Sequence, residues 1–257
     1  MWADRHLLDL VKTEHPIIQA PMAGAMDWQL VAAASEAGAL GSLPCAMLTP
    51  IQVRDQVERI RAHTAKPINV NFFCHAPPRA DAARETAWRD RLAGYYRELG
   101  LDPNAPSNAV NRTPFDAVMG ELMLELRPGV VSFHFGLPDT SLLSRLKAAG
   151  IVVLSSATTV AEARWLAEHG ADAIIAQGYE AGGHRGMFLN DDIARQAGTM
   201  ALVPQVVDAV KVPVIAAGGI GDGRGIAAAL ALGAAGVQIG TAFMLTPEAK
   251  TGAQLPP

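Results

Sequence analysis

Eight times along this chain, a short run rich in Val, Ile and Ala ends in a polar or glycine-rich turn and gives way to an amphipathic segment. A strand covered on both faces reads as a continuous apolar run, and its parallel neighbour is reached through a crossover that is usually a helix. The alternation therefore specifies β/α units around a parallel sheet. The runs fall at 16–20, 39–43, 67–73, 130–135, 151–156, 171–177, 212–218 and 235–240. Eight such units are the number that closes on itself, and 257 residues is an ordinary length for the closed form. The fold expected is α/β, a TIM (β/α)8 barrel occupying 1–257 as one domain.

Two helices between the runs are legible in detail. Residues 159–170 are expected to bury Ala161, Ala163, Leu166 and Ala167 on one face and to stop at Gly170 in a left-handed cap. Residues 222–233 repeat the plan, with Asp222 as N-cap and Gly233 as stop. One connection breaks the rhythm. A long helical insertion over about 76–128 follows the third strand, with a charged helical stretch, PRADAARETAWRDRLAGYYRELG, and then a loop, LDPNAPSNAVNRTP. Excursions of this length in a barrel usually serve as lids or small subdomains over the C-terminal face.

Composition narrows the partners. A net charge of −4 with 18% charged residues is too mild to recruit nucleic acid or an anionic membrane through bulk electrostatics. The most apolar stretch, 226–240, holds three glycines and Gln238 and is shorter than a membrane span requires. Cys45 and Cys74 are too few for a disulfide framework, which suits a reducing compartment. The chain is read as soluble and cytoplasmic, acting on a small molecule.

In a parallel barrel the site forms where strands end, so the polar residues that terminate the apolar runs are the candidates. They are Gln19, Ser42, Asn71, His134, Ser155, Ser156, Gln177, Gly218, Gly219, and Gln238 with Thr241. Converging amides and hydroxyls with almost no carboxylate fit neither a metal centre nor a paired-carboxylate hydrolase; they suit a polar ligand with an aromatic ring. The glycine clusters AAGGIGDGRG (216–225) and QIGTAF (238–243) follow the seventh and eighth runs, the frequent phosphate site of barrels, where glycine lets backbone N–H groups approach an anion. After the sixth run, QGYEAGGHRG (177–186) offers His184 as a general base or proton-transfer group. Cys74 beside His75 is sequence adjacency and not a nucleophile–base pair, and His6, His15, His63 and His169 are expected at the surface.

The combination QAPM (19–22), NVNFF (69–73), AQGYEAGGHRG (176–186), AAGGIGDGRG (216–225) and QIGTAF (238–243) resembles the nitronate monooxygenase family, from about residue 12 onward. The resemblance implies an FMN-dependent barrel without metal that oxidises alkyl nitronates, and nitroalkanes, with molecular oxygen. It assigns His184 as the catalytic base that takes the proton α to the nitro group. It places Met22, Asn71, Gln177, Gly182 and Gly183 around the flavin, and Gly218, Gly219, Gln238, Ile239, Gly240 and Thr241 at its phosphate. It also implies that the eighth helix and a C-terminal helical segment are largely absent, because TPEAKTGAQLPP closes the chain on two prolines. An uncovered flank would favour self-association into a homo-oligomer. Two other readings stay open: an NAD(P)H-dependent FMN reductase of the enoyl-acyl-carrier-protein or quinone reductase type, and a flavin-binding protein without turnover.

Overall fold

A computed structural model describes residues 2, 4–77, 79–105 and 113–251. All eight apolar runs are strands: β1 (Ile17–Gln19), β2 (Gly41–Pro44), β3 (Ile68–Phe73), β4 (Val130–His134), β5 (Val152–Ala157), β6 (Ala173–Gln177), β7 (Val214–Ala217) and β8 (Gly236–Ile239). Every ladder is parallel, in the order β1-β8-β7-β6-β5-β4-β3-β2. A bridge between Ile18 and Leu40 joins β1 to β2, so the sheet closes into the expected barrel. Around it lie α1 (His6–Val11), α2 (Trp28–Glu36), α3 (Pro50–His63), α5 (Ala117–Leu126), α6 (Thr140–Ala148), α7 (Val160–Glu168), α8 (Thr199–Ala209) and α9 (Gly223–Ala231), and a further helix, α4 (Ala82–Glu98), comes between β3 and α5 in the chain.

The chain divides into two compact units, Met1–His75 with Thr113–Pro257, and Ala76–Arg112. The connection read as one insertion over 76–128 is thus of two kinds. The smaller unit carries α4, N-capped by Asp81 and burying none of its own residues. α5 belongs to the barrel unit and packs against α3 and α6 as the helix between β3 and β4. Part of the loop read after the charged helix, 106–112, lies outside the described residues, as do the closing prolines. After β8 the described chain forms a 3-10 turn, Thr241–Leu245, and continues to Thr251 without an α-helix.

The helix stops follow the sequence. Asp222 caps α9 by accepting the amides of Arg224 and Gly225, and Gly170 and Gly233 adopt φ of 103° and 93° just after α7 and α9. The burial of α7 differs from expectation. Ala163 and Leu166 are buried, but Ala161 is exposed and Glu162 is wholly buried in its place. Helical periodicity on small alanines does not fix the phase of a face, and the carboxylate is drawn inward by buried donors described below.

The barrel interior is layered by the period of two along each strand. At the N-terminal end, Leu7 and Val11 of α1 plug the barrel against Ile18, Leu40, Val130 and Leu154. A Cβ on Gly236 would sit 2.4 Å from the Leu7 side chain, so this strand position admits the plug only as glycine. Above the plug the interior turns polar, with Ser42, Asn69, Asn71 and Ser132 all buried. Asn69 Nδ2 donates to Ser42 Oγ (3.0 Å) and Ser132 Oγ (2.8 Å), and Asn71 Nδ2 donates to Ser132 Oγ (2.9 Å). The apolar-to-polar gradient points the chemistry at the C-terminal mouth.

Candidate active site

The same alternation sorts the strand-end residues into those facing the mouth and those facing away. Asn71, His134, Ser156, Gln177 and Gln238 lie on the interior register, alongside Phe73 at the end of β3. Gln19 and Ser155 fall on the outer register. Gln19 accepts the Ser42 amide (2.9 Å) and donates to Ala20 O, bracing β1 to β2. Ser155 Oγ donates to Gly136 O (2.7 Å) and so anchors the turn after β4. Ile239 likewise turns its side chain into the packed helical shell, and its carbonyl accepts the Ala20 amide. Of these three residues, none presents a side chain to the mouth.

The loop after β6 carries His184 and is tied down at several points. Gln177 Nε2 donates to His184 O (2.9 Å), while Gln177 Oε1 accepts the Gly186 amide (2.7 Å). The Arg185 guanidinium donates to the carbonyls of Gly178 (3.0 Å), Tyr179 (2.5 Å) and Ala181 (2.7 Å), and lies over the Tyr179 ring. Its planar fork can bond several carbonyls that a lysine's compact ammonium could not reach together. Glu180 accepts the amide (2.7 Å) and hydroxyl (3.0 Å) of Thr199 at the start of α8. Partial burial pushes the Glu180 carboxyl upward, but bonds from its own amide and from Thr199, with the charge of Arg185, hold it below the usual carboxylate range. The one Thr199 hydroxyl proton is shared between Glu180 and Gly218 O (2.9 Å), so Thr199 joins the loops after β6 and β7.

Glycine is required where these loops touch. A Cβ on Gly178 would lie 2.0 Å from Thr199 Oγ1, and one on Gly218 would lie 2.8 Å from both Ala181 N and Thr199 Oγ1. Gly182 and Gly183, in contrast, have open space beside them. The sequence reading grouped Gly182, Gly183, Gly218 and Gly219 as ligand contacts; the structure shows that Gly218 also serves close packing.

The His184 ring stands among aromatic and imidazole rings. Its centroid is 5.3 Å from Phe73 and 6.1 Å from Phe135, both edge-on. Phe135 packs 4.5 Å from His134 and 6.1 Å from His75. Phe135 also takes φ = 68°, a left-handed conformation that is costly for an aromatic residue and is found where a site over-determines the backbone. Burial pushes the His134 pKa down to about 4. Phe135, Glu180, Arg185 and Thr199 were not singled out from sequence. Glu180 and Arg185 lie inside the quoted AQGYEAGGHRG element, whereas a positive φ at Phe135 leaves no signature beyond the glycine that follows.

The third component is a set of backbone donors. The amides of Gly219, Ile220 and Gly221 have no protein acceptor among the described residues. On the neighbouring strand end the 3-10 turn begins at Thr241, and its first bond is Phe243 N to Gly240 O. The amides of Thr241 and Ala242 therefore precede any intrahelical partner. β7 and β8 are adjacent, so both groups of amides belong to the same sector of the mouth. The N-terminus of α9 is not part of this cradle, since the Asp222 carboxylate occupies it. Met22 and Gly240 meet between β1 and β8, where a Cβ on Gly240 would lie 3.6 Å from Met22 Sδ. Gln238 Oε1 is buried without a hydrogen-bond partner.

Cys74 is half-buried against the shell core, and desolvation pushes its thiol far above the ordinary range, which suits a packing residue. His6, His15, His63 and His169 are exposed, as expected.

Comparison with known proteins places this geometry in a family. The family model for nitronate monooxygenase matches residues 4–254. The chain is 48% identical over 246 residues to a nitronate monooxygenase of Paraburkholderia phytofirmans, covering 95% of this chain and 67% of that protein. It is 46% identical over 245 residues to a nitronate monooxygenase of Pseudomonas aeruginosa, covering 95% and 70%. Among solved structures, a nitroalkane oxidase from Streptomyces ansochromogenes superposes with a TM-score of 0.84 at 40% identity over 95% of this chain and 69% of that one. FabK from Thermotoga maritima superposes with a TM-score of 0.72 at 34% identity, covering 97% and 65%.

Proposed function

The chain belongs to the nitronate monooxygenase family, and hence to the oxidoreductases, and we propose that it oxidises alkyl nitronates and nitroalkanes with FMN as cofactor and molecular oxygen as acceptor. The observation that carries the proposal is His184, held by its own carbonyl at the rim of an amide-lined mouth, with its ring against Phe73 and Phe135.

The residues present fit a flavin mononucleotide. A phosphate needs several N–H donors with no side chain in the way, and the amides of Gly219 to Gly221, Thr241 and Ala242 offer them. A polar ring edge needs amide partners, which Asn71, Gln177 and Gln238 can supply. The buried Gln238 Oε1 is an acceptor that lacks a donor, a costly state unless a ligand N–H or O–H completes it. Met22 and the open flank of Gly182 and Gly183 provide apolar and backbone surface. When bound, FMN supplies the redox couple between nitronate and oxygen.

The protein's own part is proton handling and placement. A neutral nitroalkane must lose a proton from the carbon beside the nitro group; the C–H electron pair becomes the C=N bond of the nitronate and the proton passes to the His184 imidazole. Phe73 and Phe135 flank that ring edge-on. A substrate that arrives as a nitronate needs no base.

Two experiments test this. Anaerobic mixing with ethyl nitronate or propionate 3-nitronate is expected to bleach the oxidised flavin absorbance, while NADH and NADPH are expected not to; bleaching only by NAD(P)H would assign the chain to reductase chemistry, and bleaching by neither to flavin binding without turnover. His184→Asn is expected to lower kcat/KM for neutral nitroethane by about 10²–10⁴-fold, the usual worth of a general base, and to affect ethyl nitronate much less. Equal losses on both would refute the base role.

A further inference from the structure

The His184 carbonyl receives two side-chain donors from two different strand ends. One is Gln177 Nε2 at the end of β6, at 2.9 Å. The other is His134 Nε2 at the end of β4, at 3.1 Å. A carbonyl oxygen only accepts, so His134 must carry its proton on Nε2. Its Nδ1 is then the acceptor of a neutral ring and receives the Ser156 hydroxyl at 2.5 Å. Ser156 stands at the end of β5, so β4, β5 and β6 all contribute to the peptide plane that follows His184. Gly186 shows how close this packing is. A Cβ there would fall 2.6 Å from His134 Cε1 and 2.7 Å from Ser156 Oγ.

We propose that His134 is a positioning residue: set as its Nε2–H tautomer by the His184 carbonyl and anchored at Nδ1 by the Ser156 hydroxyl, it fixes the His184 backbone so that the imidazole of His184 is presented at one distance from a nitroalkane carbon. The inference rests on the reading of His184 as the base. The groups that face the His134 ring are Ser156, Phe73, Phe135 and His184, none of them a carboxylate that would favour an imidazolium. Burial favours the neutral ring as well. The Ser156–His134–His184 chain reaches the base through its backbone carbonyl.

Proton transfer is sensitive to small displacements, while a nitronate that has already lost its proton is not sensitive to the base. The measurable quantity is therefore the ratio of kcat/KM for neutral nitroethane to that for ethyl nitronate, taken with the FMN-loaded chain. His134→Leu, which has no donor, is expected to lower that ratio by about tenfold or more. His134→Gln, which keeps an N–H donor, is expected to restore it to within about threefold of the parent. Ser156→Ala, a small change in a packed position, keeps the test available if His134→Leu does not fold; without the hydroxyl, the ring loses its anchor at Nδ1 and the ratio falls by about threefold. An independent readout is the ¹⁵N spectrum of the histidine-labelled full chain, in which His134 is expected as a neutral Nε2–H tautomer at pH 7, with its Nδ1 resonance shifted in Ser156→Ala, where the hydroxyl bond is lost. An Nδ1–H tautomer or an imidazolium at pH 7 would overturn the proposal, as would a His134→Leu variant that loses both substrates equally. The two readings fail differently. If His184→Asn does not separate the substrates, the base assignment falls and takes this inference with it. If His184→Asn separates them and His134→Leu does not, only the positioning role falls.

Discussion

Glu162 offers the sharpest test of how the loop that carries His184 is supported. It is a carboxylate with no exposed surface on α7, and all of its acceptor capacity is used by donors from two loops. Oε2 accepts the Thr158 amide (2.7 Å) and hydroxyl (2.8 Å), and Oε1 accepts the amides of Phe188 (2.8 Å) and Leu189 (3.3 Å). It also lies in the first turn of α7, where the helix dipole favours negative charge. Glu162→Gln keeps the shape and creates no cavity. In its better orientation the new NH2 faces Thr158, whose hydroxyl can turn to accept but whose buried N–H then has no acceptor, a cost of about 1–3 kcal/mol. The bonds to Phe188 and Leu189 survive without their charge assistance, at about 1 kcal/mol each. The expected loss is about 3–5 kcal/mol, a large fraction of the roughly 5–15 kcal/mol available to a domain. In thermal unfolding followed by calorimetry, a chain of this length loses about 2–4 °C per kcal/mol, so Tm should drop by about 6–20 °C. A change below about 2 °C would mean that the carboxylate is not the organising charge of this loop. Phe188 and Leu189 follow His184 on the same loop, and Phe188 contacts Trp165 and Gly136. Hydrogen exchange at the Phe188 amide should accordingly rise in the variant before global unfolding sets in.

Three further outcomes are expected. Gly178→Ala puts a methyl 2.0 Å from Thr199 Oγ1, and because the obstacle is the anchored start of α8, the variant should be destabilised by more than about 3 kcal/mol or fail to accumulate; wild-type stability by denaturant titration would show the contact to be soft. His134 titrates at about 4 when folded against 6.5 when unfolded, so between those values the unfolded chain binds the extra proton. Its effect on stability is therefore absent above pH 6.5 and grows as pH falls, to about 3 kcal/mol of destabilisation below pH 4. The difference in unfolding free energy between wild type and His134→Gln, measured at pH 7 and at pH 4.5, should reveal this slope; identical pH profiles would remove it. Carboxylates held low in the folded state, such as Glu180, are present in both proteins and cancel in this difference. Arg185→Lys keeps the charge but replaces a planar fork bonded to three carbonyls by a single ammonium, and limited proteolysis within 178–186 should become faster while the rest of the barrel stays resistant.

What could be read in the sequence follows from which interactions are periodic and which are not. A parallel strand buried on both faces imposes apolar runs of nearly fixed length, so all eight strands were visible, and the turns after β7 and β8 announced themselves by glycine. Side-chain direction was harder. Gln19 and Gln177 both end apolar runs, yet one residue of phase sends Gln19 outward to brace β2 and Gln177 inward to hold His184. A run of apolar residues on both faces carries no phase of its own, so that distinction is made only by pairing with the neighbouring strand. Glu162 was hidden for a related reason. A carboxylate in a helix full of alanines reads as solvent-facing unless one knows that three loop amides converge on it, and two of them, those of Phe188 and Leu189, belong to residues that no local pattern connects to α7. The same holds for His134, which the sequence offers only as a polar residue ending an apolar run. Its partners, Ser156 and the His184 carbonyl, are 22 and 50 positions away, and one of them is a backbone atom. Loop support in this barrel is built largely from side chains on one strand end gripping the main chain of another segment. The gripped residue can change without altering the bond, so the sequence shows the grip at one end only, and it takes the closed barrel to bring the other end into reach.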